Sequence, residues 1–158
     1  LRTEPVSEYL PVKNYYGGDG IINRNDYIFE KGVLKNYLLD LYGSKKTGLE
    51  RGPSTGSNLV VEAGDKSLPE MIGSIERGII LGRFSGGHPA TNGDFSGVAK
   101  NSFYIEDGEI KYPIKETMIS GNLFELFQNI VGISRARVNF GFNLFPYIHA
   151  REIVVSSR

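Results

Sequence analysis

The 158-residue chain contains no cysteine. A disulfide framework is therefore excluded, and so is any metal site built on thiolates. An excess of positive charge is missing as well: Lys plus Arg and Asp plus Glu both number 18, so the formal net charge is zero. A broad nucleic-acid footprint needs clustered cations to neutralise phosphates, so this balance argues against one while leaving room for a local patch. No apolar run approaches the roughly 18 residues of a membrane-spanning helix. The opening Leu1-Arg2-Thr3-Glu4-Pro5 lacks the basic-then-apolar order of a signal peptide, and no Asn-x-Ser/Thr acceptor occurs. A cytoplasmic location is the resulting expectation. Methionine is scarce, at Met71 and Met118 alone, and the first residue is Leu1. The chain thus reads as a piece of a longer protein.

What is present suits one soluble domain over residues 1–158. Hydrophobic residues make up 40% and charged residues 23%, which is a globular and not a disordered composition. The length is enough to bury a real core. The chain is organised around Gly86-Gly87-His88-Pro89-Ala90-Thr91-Asn92-Gly93-Asp94-Phe95-Ser96-Gly97. This glycine-rich loop leads into two alternating runs, with Phe103 and Ile105 before an Asp107-Gly108 turn and Ile110, Tyr112 and Ile114 after it. Asp-Gly between such runs is a strong hairpin signal.

Elsewhere the pattern is of short strands. Residues 1–16 read as an irregular lead-in, interrupted by Pro5 and Pro11. Gly17 to Gly20 and Glu30-Lys31-Gly32 read as turns. Val33 to Leu41 fits both helical and alternating spacing, and is taken as a strand running into a short helical turn. Gly48 to Ser57 is a loop and Asn58 to Glu62 a strand. Ser67-Leu68-Pro69-Glu70 is a capping-box start for a helix that runs to Gly78. Ile79-Ile80-Leu81 reads as a short buried strand, and Thr117 to Ser120 as another. A second helix begins at Gly121-Asn122, with Leu123, Leu126, Phe127, Ile130 and Val131 on one face and Gly132 at its end. Arg135 to Phe140 and Tyr147 to Val155 read as paired strands. The fold class is α+β: a largely antiparallel β-sheet domain with two short helices.

Most single motifs have a plain reading beside the chemical one. Gly43 to Gly48 resembles half of a phosphate-binding loop, but Leu49-Glu50 stands where Lys and Ser or Thr are needed, so a solvated turn is favoured. Ser54 to Asn58 can offer backbone donors to an anion; a plain loop is the simpler account. His149 falls in a strand pattern and reads as structural. His88 sits near Asp94 and is a candidate for acid-base work. Two distant histidines without cysteine do not make an ordinary zinc site. The nine Tyr and nine Phe are spread along the strands, as core and interface residues would be.

Several of these pieces occur together in an order that resembles the C-terminal half of the TldD/PmbA family, in which PmbA is also called TldE. They are Asp19-Gly20, Glu30 to Asp40, Ser54 to Leu59, Asn92 to Gly97, Ile105 to Ile110 with Pro113, and Ser120 to Leu123. The resemblance implies a β-rich α+β domain of a longer, two-part protein. It also implies a heterodimer of TldD and TldE types that cleaves unfolded peptides and matures peptide precursors. The family's older description is a modulator of DNA gyrase. In TldD-type members zinc is held by a His-Glu-x-x-x-His helix and a cysteine near the C-terminus. Here that helix would precede Leu1, while the cysteine's region, near Arg137 to Gly141, is present and has none.

The resemblance therefore implies a PmbA/TldE-like subunit with no cofactor of its own, zinc being expected only in a TldD-type partner. No catalytic or metal-binding residue is carried over. The implied partners are a TldD-like subunit or a second copy, and an unfolded peptide. Neither a membrane nor nucleic acid is expected. Gly86, Gly87, His88, Asn92, Gly93, Asp94 and Phe95 are the candidate peptide- or partner-facing loop. Two other functions stay open: a binding or regulatory module, and a metal-independent hydrolase using His88 and Asp94.

Overall fold

The structure is a computed structural model that describes residues 1–115 and 117–156. It divides into two compact units, 1–63 with 136–146 and 64–135 with 147–158.

The first unit is built from very short strands. β1 (Arg2–Thr3) lies between β2 (Asp26–Tyr27) and β5 (Leu59–Val60), antiparallel to both. Thr3 is fully buried, and its hydroxyl meets the Ser54 hydroxyl and the Ser57 carbonyl, each at 2.7 Å. β3 (Phe29–Glu30) and β4 (Val33–Leu34) form a hairpin. Its two turn residues, Lys31 and Gly32, both have positive φ, as a right-twisting two-residue hairpin requires. Strands of two residues supply few ladder bonds, so side chains hold the loops between them. Asn58 is buried in a left-handed conformation, donates to the Val12 carbonyl at 2.7 Å and accepts from Asn14.

The second device of this unit is an ion pair. Arg51 grips Asp19 through Nε and a terminal nitrogen, both at 2.9 Å, with the two side chains only 11% and 9% exposed. Asp19 also accepts from the backbone N–H groups of Leu41 and Ile21. This bidentate grip holds the Asp19 carboxyl far below the usual carboxylate range, Arg51 being the largest cause. It anchors the start of α1 (Leu41–Thr47), whose cap is the Asp40 side chain on the Gly43 N–H, 2.6 Å away. The stretch Gly43 to Thr47, expected with Gly48 as a solvated turn, is thus helix. Asp40 starts it, and Gly48 at φ 72° stops it by returning its N–H to Ser44.

The second unit carries the expected capping box. Ser67 accepts from the Glu70 N–H and Glu70 accepts from the Ser67 N–H, opening α2 (Leu68–Gly73). The helix stops at Gly73 and not at Gly78. Ser74 turns its hydroxyl back to the Met71 carbonyl, and Gly78 lies within β6 (Arg77–Ile80). That strand is half-buried, not buried, and Leu81 beyond it is exposed.

β7 (Arg83–Gly86), β8 (Asp94–Lys100), β9 (Ser102–Glu106), β10 (Glu109–Ile114) and β11 (Thr117–Asn122) follow. The Asp107-Gly108 turn joins β9 to β10 as expected, with both residues at positive φ. β10, β9 and β6 make a three-stranded antiparallel sheet. α3 (Leu123–Gln128) is shorter than its apolar pattern. Ile130 and Val131 leave it to open β12 (Ile130–Asn139), because branched side chains favour the strand and Asn129 closes the last turn. β13 (Leu144–Ala150) and β14 (Val154–Ser156) are the last strands among the described residues, and β14, β11, β8 and β7 form a four-stranded sheet. The hairpin tip at 136–146 belongs to the first unit, where Leu144 pairs parallel to Val60. The class is α+β with mostly antiparallel strands, and α1 is a third helix beside the two expected.

The core of the second unit is small. Met71, Ala99, Ile105 and Ile119 are its buried apolar side chains among the described residues.

Candidate functional site

The organising loop connects β7 to β8 at one end of the four-stranded sheet. Gly86 faces Gly97 across the β7–β8 pair, and Asp94 faces Asn122 across the β8–β11 pair. The loop is folded back on itself: Gly93 N–H donates to the Ala90 carbonyl and Ala90 N–H to the Asp94 carbonyl, both at 2.8 Å. Gly93 has φ 90°, and a Cβ there would meet the Phe124 ring at 2.7 Å, so both backbone and space require glycine.

Asn122 ties the loop to α3. Its side-chain nitrogen donates to the Asp94 carboxylate and to the Asn92 carbonyl, both at 2.9 Å, while its oxygen caps α3 on the Phe124 N–H. Asn92 donates to the other Asp94 oxygen at 2.6 Å and accepts from the Asp94 N–H. The two amides hold the Asp94 carboxyl below its ordinary range, Asn122 first and Asn92 second. A carboxylate with a lowered folded value stabilises the fold above its unfolded titration range, and this is lost as pH falls through the folded one. Asn122→Ala is therefore expected to raise the Asp94 titration midpoint towards an ordinary aspartate, read by NMR of its carboxyl carbon. An unmoved midpoint would remove Asn122 as the cause.

Phe84 explains the glycines of the strands. A Cβ on Gly86 or Gly97 would stand 2.5 or 2.6 Å from its ring. Phe95 meets Phe84 edge to face at 5.9 Å, and its own ring lies over Gly121. Of the residues singled out in the sequence, the structure brings together Asn92, Gly93 and Asp94, while Gly86 and Phe95 belong to the aromatic seat. Gly87 and His88 are exposed. No hydrogen bond or ion pair joins His88 to Asp94 among the described residues, and Asp94 is held by amides instead. Asn122, Phe84 and Phe124 were not recognised as partners of the loop. For Asn122 the available signal was its place as a cap before Leu123.

No group of three His, Cys, Asp or Glu side chains that could hold a metal ion exists among the described residues. His149 is half-buried, and its pKa is lowered by burial first and then by the positive charges of Arg151 and Lys66. A cationic neighbourhood of this kind opposes a further cation. The described residues do not by themselves fit a zinc ion.

A family model described as the PmbA/TldA metallopeptidase C-terminal domain matches residues 1–157. The chain belongs to this family. A PmbA metalloprotease homolog of Buchnera aphidicola is 34% identical over 122 residues, covering 75% of this chain and 27% of that protein. A zinc metalloprotease TldD homolog of Saccharolobus solfataricus is 32% identical over 133 residues, covering 77% and 30%. The crystal structure of a candidate modulator of DNA gyrase from Bacteroides thetaiotaomicron superposes with a TM-score of 0.85 at 31% identity, covering 99% of this chain and 36% of that one. The chain thus spans roughly three tenths of the length of these two curated relatives. PmbA-type and TldD-type relatives match with nearly equal identity, so residue chemistry has to separate the two. No helix among the described residues is long and apolar enough to cross a membrane.

Proposed function

We propose that this PmbA/TldD-family chain is the metal-free, non-catalytic C-terminal domain of a PmbA/TldE-like subunit. It works in the cytoplasm with a TldD-type partner, which supplies the zinc, and the pair degrades unfolded peptides and matures peptide precursors. The observation that carries this reading is the stretch Arg137-Val138-Asn139-Phe140-Gly141. A TldD-type member has its cysteine ligand in this region, and here no residue of it offers a thiolate.

The chain's contribution is then shape and backbone. β7 ends its sheet among the described residues, next to the loop from Gly87 to Gly93. Such an edge can take an extended peptide or a partner's strand through main-chain hydrogen bonds, with affinity independent of sequence. The test uses the full-length protein with its TldD-type partner. Replacing Asp94 and Phe95 together by alanine is expected to weaken both pairing and peptide cleavage by about thirtyfold, the scale of one interface hot spot. Normal pairing and normal cleavage would remove the loop from the mechanism. A stoichiometric zinc on this chain alone, with chelator-sensitive hydrolysis, would overturn the whole reading.

A further inference from the structure

Asn92-Gly93 is the one Asn-Gly pair in the chain. Asparagine before glycine is chemically labile, because the following nitrogen is unshielded by a side chain and can reach the amide carbon. In the reaction Gly93 N attacks Asn92 Cγ, forming an N–C bond. The Cγ–Nδ2 bond breaks, and ammonia leaves with the proton that Gly93 N gives up. Water then opens the cyclic imide to aspartate or isoaspartate.

The nucleophile and the leaving group of this step are both otherwise engaged. The Gly93 N–H is bonded to the Ala90 carbonyl at 2.8 Å. The leaving amide nitrogen of Asn92 is bonded to Asp94 at 2.6 Å, and its oxygen accepts from the Asp94 N–H at 3.2 Å. The Asn92 carbonyl is held by Asn122 at 2.9 Å. Gly93 is buried beneath the Phe124 ring, which limits the rotation that cyclisation requires.

We infer that Asn92 is a deamidation site held in check by the Asn122–Asp94 clamp, and that its conversion opens the loop. After conversion to aspartate, a carboxylate oxygen replaces the donor nitrogen that stood 2.6 Å from the Asp94 carboxylate. Two anions at that separation repel where a charge-assisted hydrogen bond had attracted. Conversion to isoaspartate lengthens the main chain inside the Ala90–Asp94 turn. Either product loosens Asn122, and with it the cap of α3.

The experiment follows the mass gain of about 1 Da at residue 92 by peptide mapping of the full-length protein in mildly alkaline buffer. A synthetic peptide of residues 88–96 gives the unclamped rate. Asn122→Ser keeps an oxygen for the Phe124 N–H but loses both amide donations, so the cap survives while the clamp does not. The intact protein is expected to react at least about tenfold more slowly than the peptide, and N122S about tenfold faster than the intact protein, the factor of one charge-assisted hydrogen bond. Hydrogen exchange at Gly93 and Phe124 is expected to quicken in the converted protein. Equal rates in protein and peptide, an unaltered rate in N122S, or unaltered exchange after conversion would each overturn the inference.

Discussion

Ile105→Ala is expected to destabilise the second unit by about 2–5 kcal/mol, the range for truncating a buried isoleucine. Ile105 is 1% exposed, and few other apolar side chains are buried in that unit, so little can collapse into the space. It also lies at the centre of the three-stranded sheet, facing Gly78 on one side and Ile110 on the other. Ile110 provides the control. It is 49% exposed, and its truncation is expected to cost less than about 1 kcal/mol. Urea denaturation of the two variants would measure the difference. Equal losses would show that the burial of Ile105 is not what holds the sheet.

Gly52→Ala is expected to cost about 3 kcal/mol or more, beyond the usual range for a small overpacking. A Cβ there would lie 2.2 Å from the Tyr37 carbonyl oxygen, 3.0 Å from the Leu39 nitrogen and 3.2 Å from the Ser54 carbonyl oxygen. All three neighbours are main chain, so no flexible side-chain end can yield. The Gly52 N–H also donates to Leu39 at 2.9 Å, beside the Arg51–Asp19 pair that anchors α1. A shift would disturb both. Gly18→Ala is the control, since nothing stands within 4 Å of its added carbon, and less than about 0.5 kcal/mol is expected there. Matching losses in urea denaturation would contradict the close approach at Gly52.

The elements most legible in the sequence are those whose signal is local. The Asp107-Gly108 turn and the Ser67 capping box depend on residues within one turn of the chain, and both form as expected. Elements set by distant residues were not legible. α1 needs Asp19, 22 residues away, on its first N–H, and a Gly-Ser-Lys-Lys-Thr-Gly string looks like a loop without it. β1 is a strand because β2 and β5 flank it, not because Arg2 and Thr3 prefer one. α3 was overextended because Ile130 and Val131 continue its apolar spacing, while their branched side chains follow the neighbouring strand.

The candidate site divides in the same way. Its glycine-rich loop stands out in the sequence, but the reason for the glycines does not. Phe84 is only two residues from Gly86 and 13 from Gly97, and nothing in the spacing shows that one ring covers both. Asp94 and His88, which proximity in sequence paired, are separated in role by Asn92 and Asn122.

The Phe84 ring also guards the alignment of β7 with β8. Gly86 opposes Gly97, so sliding either strand by one position would bring Ser85, Gly87, Ser96 or Val98 opposite a glycine. Only the native match puts two bare positions on the face that the benzene ring covers, because a slide by one turns that face over. The hairpin therefore carries its own gauge against misthreading, built into the fit between one ring and two bare positions.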